Sequence, residues 1–300
     1  MSVHVHLAGI IPVANLKTEF DLKFPAYMLP VATDFSAIQK AVFECAMAGC
    51  QTIWIVANDD EAPILRECVG EWVYDPVYYG RPGKYPSEAR KEIPIYYVPI
   101  HPKDRDRRDS YGWSVLYGIN SAWRVSKMMS QWLIPDKYFV TFPMNTYNPY
   151  CLRNFRAKIS DFENNFFLTS EGTNIKDGVP LPFTMFGEDF ITCRRHVNSL
   201  TTKEFEKPPA GEKYPQKKLP LLERWSARYF GLETVFSKVN NTNAITEELD
   251  WYYDISTWEG YGNFMGSDNF IKSPPRELTR PRKHAILGYT LEGNSEQTKD

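Results

Sequence analysis

The alternation of apolar and polar positions is most informative at the amino end. His4-Val5-His6-Leu7-Ala8-Gly9 predicts a strand. Thr52-Ile53-Trp54-Ile55-Val56 is a continuous apolar run, as a strand covered on both faces requires. Between them Ile38, Ala41, Val42, Cys45 and Ala46 recur at the spacing of one buried helical face. Thr33 or Asp34 can cap this helix, and Gly49 stands where a left-handed residue ends one. Strand, loop, helix and strand of this length predict a right-handed crossover between parallel strands. Ligands in such sheets bind beyond the carboxyl ends of the strands, so the loop from Ile10 to about Thr33 is the expected site.

Further along, Ala62–Val69 predicts a helix, with Pro63 in its first turn and Gly70 at its end. Residues 71 to 92 read as loop, and Ile93–Ile100 as a third strand whose prolines, Pro94 and Pro99, place it near an edge or fix its ends. The run Lys103-Asp104-Arg105-Asp106-Arg107-Arg108-Asp109 follows. It reads either as a solvated, self-paired loop or as a loop gripping phosphate through Arg105, Arg107 or Arg108. A long helix runs from about Ser110 to Met129, with Val115, Ile119, Ala122 and Ser126 on one face. Lys137–Phe142 and Phe166–Thr169 predict strands, Pro149–Ser160 a helix, and Thr184–Val197 one or two further strands. The proline-rich stretch Thr202–Lys218 is a long loop or lid. Leu221, Leu222, Trp225 and Tyr229 mark an amphipathic helix ended by Gly231. Ser256 and Glu259 have the capping-box spacing, which starts a last helix at Thr257. These elements predict one α/β domain over residues 1–270, with a central mixed, mostly parallel sheet and helices on both faces. A polar, Pro/Arg-rich tail fills 271–300.

A hydrophobic content of 43% is enough to bury a large core in 300 residues. The formal net charge of -2 argues against a dedicated nucleic-acid or anionic-membrane binder. Five scattered cysteines with no Cys-x-x-Cys pair point to a reducing, cytoplasmic setting and no zinc site. No apolar run reaches eighteen residues, so no membrane span is expected.

Two stretches carry a family resemblance. Leu7-Ala8-Gly9, Leu29-Pro30-Val31, Ala48-Gly49 and Ile55-Val56 fall in the order and rough spacing of the opening of sugar-nucleotide pyrophosphorylases. Trp251-Tyr252-Tyr253-Asp254-Ile255-Ser256-Thr257-Trp258-Glu259-Gly260-Tyr261 is similar to that family's late signature, Trp-x-Asp-Ile-Gly-Thr-Pro-Glu-x-Tyr. The resemblance implies a single Rossmann-like domain of the GT-A type. It implies nucleotidyl transfer from a nucleoside triphosphate to a sugar phosphate, with Mg2+ as cofactor. On that pattern Asp254 is a magnesium ligand, and Ala8, Gly9 and Gly112 let backbone approach the nucleotide. Lys23, or else Lys17, neutralises phosphate together with Arg105, Arg107 and Arg108.

The departures are as specific as the matches. Ile10-Ile11-Pro12-Val13-Ala14 stands where the family has Gly-x-Gly-Thr-Arg. Trp113 and Ser114 replace two small residues after Gly112. The family's strand-end aspartate is missing from Phe142-Pro143-Met144-Asn145, leaving Asn145 as the nearest polar group, a weaker metal ligand or a plain turn residue. Two alternatives therefore stand beside the transferase. One is a glycosyltransferase with a nucleotide-sugar donor, for which Asp104-x-Asp106 has the spelling of a metal motif. The other is a non-catalytic structural or binding subunit. Assembly into a homo-oligomer is compatible with all three.

Overall fold

A computed structural model describes residues 5–79, 91–206, 211 and 217–274. The amino-terminal half begins with β1 (Leu7–Pro12), the short pair β2 (Pro30–Ala32) and β3 (Phe35–Ser36), α1 (Ala37–Ala48) and β4 (Thr52–Ala57). It continues through α2 (Ala62–Val69), β5 (Trp72–Tyr74), α3 (Pro76–Tyr79), β6 (Glu92–Pro99), α4 (Pro102–Arg107) and the long α5 (Tyr111–Met129). The remainder holds β7 (Lys137–Val140), β8 (Asn145–Thr146), α6 (Leu152–Ile159), β9 (Phe166–Thr169), β10 (Phe183–Phe186) and α7 (Gly187–Leu200). It closes with α8 (Leu232–Phe236), β11 (Ile245–Glu248), β12 (Tyr253–Asp254) and α9 (Trp258–Gly266).

Eight strands form one sheet in the order β11-β9-β10-β7-β1-β4-β6-β5. β7, β1, β4 and β6 are a parallel block, β11 joins β9 in parallel, and β10 and β5 run against their neighbours. The expected mixed, mostly parallel α/β sheet is therefore present. Its two faces carry separate cores. One packs α1 and α6 against Ile11, Ile53, Ile55 and Phe139. The other packs α5 and α7 against Ile10, Val56, Val140 and Met185.

The crossover β1–α1–β4 is parallel as expected, with Gly9 opposite Ile53. Gly49 ends α1 in the left-handed conformation at φ 96°. The amino cap differs: Ser36 and Gln39 form a reciprocal capping box, because β2 and β3 carry the chain past Thr33 and Asp34 before the helix begins. β1 itself runs three residues beyond Gly9, since Ile10 and Ile11 alternate into the two cores rather than opening a loop.

Other elements also depart from the expectation. Residues 72–74 form an edge strand on β6, so β6 is one place in from the edge. The charge run folds into the short helix α4, with His101 as amino cap. Only Phe183–Phe186 of the expected strand region is a strand, and α7 follows, with Phe190, Cys193 and Val197 at helical spacing facing the core. The amphipathic helix expected around Trp225 is instead two short 3-10 turns, interrupted by Trp225 at φ 59°, with Leu221, Leu222 and Tyr229 exposed. Much of the expected lid, and the tail beyond residue 274, lie outside the described residues. The five cysteines are free, and among the described residues no helix is long and apolar enough to cross a membrane.

Candidate functional site

The chain proceeds from β1 outward to β4 and β6, then returns to place β7 on the other side of β1. That reversal is a topological switch point, and the crevice beyond the carboxyl ends of β1 and β7 is where open α/β sheets bind ligands. A cavity of ≈ 280 Å³ lies there. Leu16 and Lys17 reach it from the segment after β1, Phe142 and Met144 from the segment after β7, and Ser110 and Tyr111 from the start of α5. Arg228 and Tyr229 enter from the second 3-10 turn, Asp254 from the end of β12 and Ser256 from the connection between β12 and α9.

Each wall has a local cause. After Pro12 the chain does not form a glycine-rich loop. Val13 and Ala14 both donate to the Val56 carbonyl, at 2.8 and 2.9 Å, and fold down over β4. The α5 amino end clamps this turn: Ser114 Oγ donates to the Ala14 carbonyl at 3.0 Å and Tyr111 OH to the Pro12 carbonyl at 3.3 Å. Tyr111 also packs on Phe142, ring centroids 5.5 Å apart. Burial first, and then the Asp254 carboxylate, push the Tyr111 hydroxyl well above its usual range, so it stays protonated.

Asp254 is held from three sides. β12 pairs antiparallel with β8, setting Asp254 opposite Asn145. Its Oδ1 accepts the Ser256 N–H at 2.9 Å. Thr257, whose Oγ1 accepts the Gly260 N–H at 3.0 Å, then caps α9, so the helix starts at Trp258, one residue later than the sequence spacing suggests. Gly260 has no side chain because a Cβ there would collide with the Asp254 carbonyl. The same helix start grips the loop that carries Lys17. Glu19 N–H donates to the Ser256 carbonyl at 3.0 Å, Trp258 N–H to Glu19 Oε2 at 3.3 Å, and Phe20 stacks edge-on against Trp258 at 4.6 Å.

The sequence-proposed residues divide. Asp254 and Lys17 line the cavity, whereas Lys23 is exposed and does not. Ala8 and Gly9 lie inside the sheet: Ala8 is fully buried, and a Cβ on Gly9 would stand 2.6 Å from Cys45 Sγ. Gly112 is pressed against α8, where a Cβ would meet Val235 at 2.8 Å. Arg105 pairs with Asp59 at 3.0 Å, Arg107 stacks on Trp225 at 4.6 Å, and Arg108 lines a different cavity.

Asn145 is fully buried and its amide is spent. Its Oδ1 accepts the Lys40 ammonium at 2.5 Å and its Nδ2 donates to the Pro180 carbonyl at 2.6 Å. The adjacent ammonium opposes a second cation at this oxygen, and Asn145 braces the strand pair that carries Asp254. Arg228, which composition and spacing gave no reason to single out, is the second cation of the cavity. Its Nη2 donates to the Arg224 carbonyl at 3.1 Å, while its buried Nε has no acceptor among the described residues.

Among the described residues no three histidines, cysteines or carboxylates are grouped to cage a metal. The donor set suits an ion that takes one carboxylate and completes its shell with substrate phosphates and water, which is how magnesium is commonly bound. Asp254 is the residue that would hold it.

A Bacillus anthracis protein assigned as a glucose-1-phosphate thymidylyltransferase, solved with sucrose, matches 89% of this chain and 98% of its own at TM-score 0.50 and 12% identity. The chain has the fold of the sugar nucleotidyltransferases. A UDP-glucose pyrophosphorylase bound to UDP-glucose matches at TM-score 0.48 and 13% identity, over 87% of this chain and 97% of its own. A nucleoside-diphosphate-sugar pyrophosphorylase from Vibrio cholerae matches at TM-score 0.48 and 13% identity, over 86% and 100%. No family model and no curated protein sequence matches.

Proposed function

We propose that this chain is a nucleotide-sugar-related transferase whose substrate phosphates bind in the switch-point cavity. The reaction that fits best is nucleotidyl transfer from a nucleoside triphosphate to a sugar phosphate. The observation that carries this reading is the convergence of Asp254, Lys17 and Arg228 on one cavity at the carboxyl edge of the sheet. Lys17 and Arg228 lower the cost of bringing two polyanions together. The amino end of the nineteen-residue α5 adds its partial positive charge to the same wall. A magnesium ion held by Asp254 supplies, when bound, further neutralisation of the phosphoryl oxygens. Tyr111 keeps its proton and holds the β1 exit turn in place.

One observation favours a second reading, a non-catalytic binding module: Phe142 and Met144 present apolar side chains at the end of β7, and among the described residues lining the cavity Asp254 is the single carboxylate. The glycosyltransferase reading gains no such support. Asp104 lies in α4, 3.6 Å from Arg108, and lines a different cavity.

Thermal unfolding with nucleoside triphosphates and with nucleotide-sugars, with and without magnesium, separates the readings. A ligand at about 100 times its dissociation constant stabilises by roughly 2.7 kcal/mol. Stabilisation by triphosphate with release of pyrophosphate in the presence of sugar 1-phosphate supports the transferase. Stabilisation without turnover supports the binding module. No response to any of these ligands refutes both.

A further inference from the structure

A second cavity of ≈ 220 Å³ lies along α5, lined by none of the residues of the switch-point cavity. Trp113, Leu116, Tyr117, Asn120 and Arg124 contribute to it along one helical stripe, with His101 and Arg108 at the two ends of α4 and Arg194 on α7. Three guanidinium groups, those of Arg108, Arg124 and Arg194, share this space with one carboxylate, that of Asp104. Asp104 reaches Arg108 at 3.6 Å. Arg194 donates to the neutral Asn120 Oδ1 at 3.2 Å. The local balance is therefore strongly positive, in a chain whose net formal charge is -2.

Two donors make this more than a patch of surface cations. Trp113 is 4% exposed, and its indole N–H has no acceptor among the described residues. The Nε–H of Arg108, whose guanidinium lies over the Trp113 ring at 4.6 Å, is buried and likewise has none. A buried donor without an acceptor carries a desolvation cost that a bound acceptor removes. A ligand with several oxygens and negative charge would satisfy both donors and the guanidinium forks at once.

We infer that this cavity is a second anion site, independent of the substrate pocket, built for a compact phosphate group such as inorganic phosphate, pyrophosphate or a terminal phosphoryl group. It does not depend on the transferase reading: none of its residues lines the switch-point cavity.

The test uses pyrophosphate, without magnesium, in calorimetric titrations of the full chain. Because pyrophosphate also suits the switch-point cavity, the background is the double variant Lys17→Ala, Arg228→Ala. One saturable binding event is expected to persist in that background. Adding Arg124→Ala or Arg194→Ala, both at exposed positions, should weaken it roughly 10- to 100-fold, the loss expected for a charge-assisted hydrogen bond, with unchanged circular dichroism as the check on folding. Inorganic phosphate, titrated in parallel, shows whether one phosphoryl group suffices. Nitrogen-proton correlation spectra give an independent reading: the indole signal of Trp113, assigned by its disappearance in Trp113→Phe, should move on titration. Absence of binding in the double-variant background overturns the site. So does binding that survives loss of both arginines, or an unmoved Trp113 signal at saturation.

Discussion

The buried polar cluster beneath Asp254 makes a quantitative prediction. Lys40 and Glu44 lie one turn apart on α1, both at 0% exposure, with Nζ to Oε1 at 2.7 Å. Lys40 also donates to Asn145 Oδ1 at 2.5 Å and stands 5.2 Å from the Tyr147 ring centre, and Thr141 donates to Glu44 Oε2. Burial pulls the Lys40 ammonium below its ordinary range, and Glu44 opposes that pull. Lys40→Met fills a similar volume but leaves the Glu44 carboxylate without a cation, beside only the Thr141 and Tyr147 hydroxyls. Removing one partner of a buried pair costs about 3–5 kcal/mol, and Glu44→Leu should cost a similar amount. The double variant removes both charges and leaves the Asn145, Thr141 and Tyr147 groups short of a partner, a cost of about 1–3 kcal/mol for each group orphaned outright but below the sum of the single losses. The cycle therefore predicts a coupling of several kcal/mol between the two sites, where independent sites would add to within about 0.5 kcal/mol. Urea unfolding at pH 7, followed by tryptophan fluorescence and circular dichroism together, measures all four proteins. If the single variants lose less than about 1 kcal/mol, or the losses add, the pair is not charged and Asn145 is not held by an ammonium.

Other predictions test separate parts of the molecule. Asp254→Asn keeps the acceptor for Ser256 N–H, so it should fold normally while the magnesium dependence of nucleotide binding disappears. Calorimetry showing equal magnesium dependence in both proteins would sink the metal role. Burial lowers the Lys137 ammonium to about 8, although it donates to the Asp161 and Asn164 carbonyls at 2.9 and 2.6 Å. Its unfolded value is higher, so the unfolded chain holds more protons above pH 8, and this group's contribution to stability rises with pH through that window. Between pH 8 and 9.5 the gain is about 2 kcal/mol relative to Lys137→Met. Above that window the buried tyrosines, whose hydroxyls are pushed up, act with the opposite sign. Denaturant curves for the two proteins with parallel pH dependence would refute it. Gly9→Ala should cost about 1–3 kcal/mol through overpacking against Cys45, and Cys45→Ala in the same chain should recover most of it.

How much of this was legible from the residues depends on the range of the interactions involved. α1, β4, α2, α5 and β9 follow from periodicity and end signals because each is a local amphipathic or apolar unit. β5 was not legible, because three residues of an edge strand are specified by pairing with β6 rather than by their own pattern. Around residues 190–193, Phe190-Ile191-Thr192-Cys193 has the composition of a strand, and only the longer spacing to Val197 shows the helical face. Asp254 was visible because its turn, cap and helix are consecutive in sequence. Arg228 was not, since its place at the cavity depends on how the 3-10 turns pack against α7. The Lys40–Glu44 spacing has the form of an ordinary surface ion pair, and only the layers over α1 make it a buried one.

The glycines show why a fold can persist where an activity need not. Gly9 and Gly112 occupy matching places in the opening strand and the long-helix turn of the pyrophosphorylase pattern. Here each meets a packing demand, from Cys45 and Val235 respectively. Close approach of α1 to β1, and of α8 to α5, requires a missing side chain at those points whatever the sheet binds. Such positions report the architecture. Chemistry has to be read where side chains reach the carboxyl edge, and there the chain offers Lys17, Arg228 and Asp254 beside Phe142 and Met144. On the proposed reading, a triphosphate site on this sheet would depend on two cations and one carboxylate in place of a glycine-rich loop and a second acid. That makes Arg228, rather than either glycine, the position at which a ligand-binding assay says most about this protein.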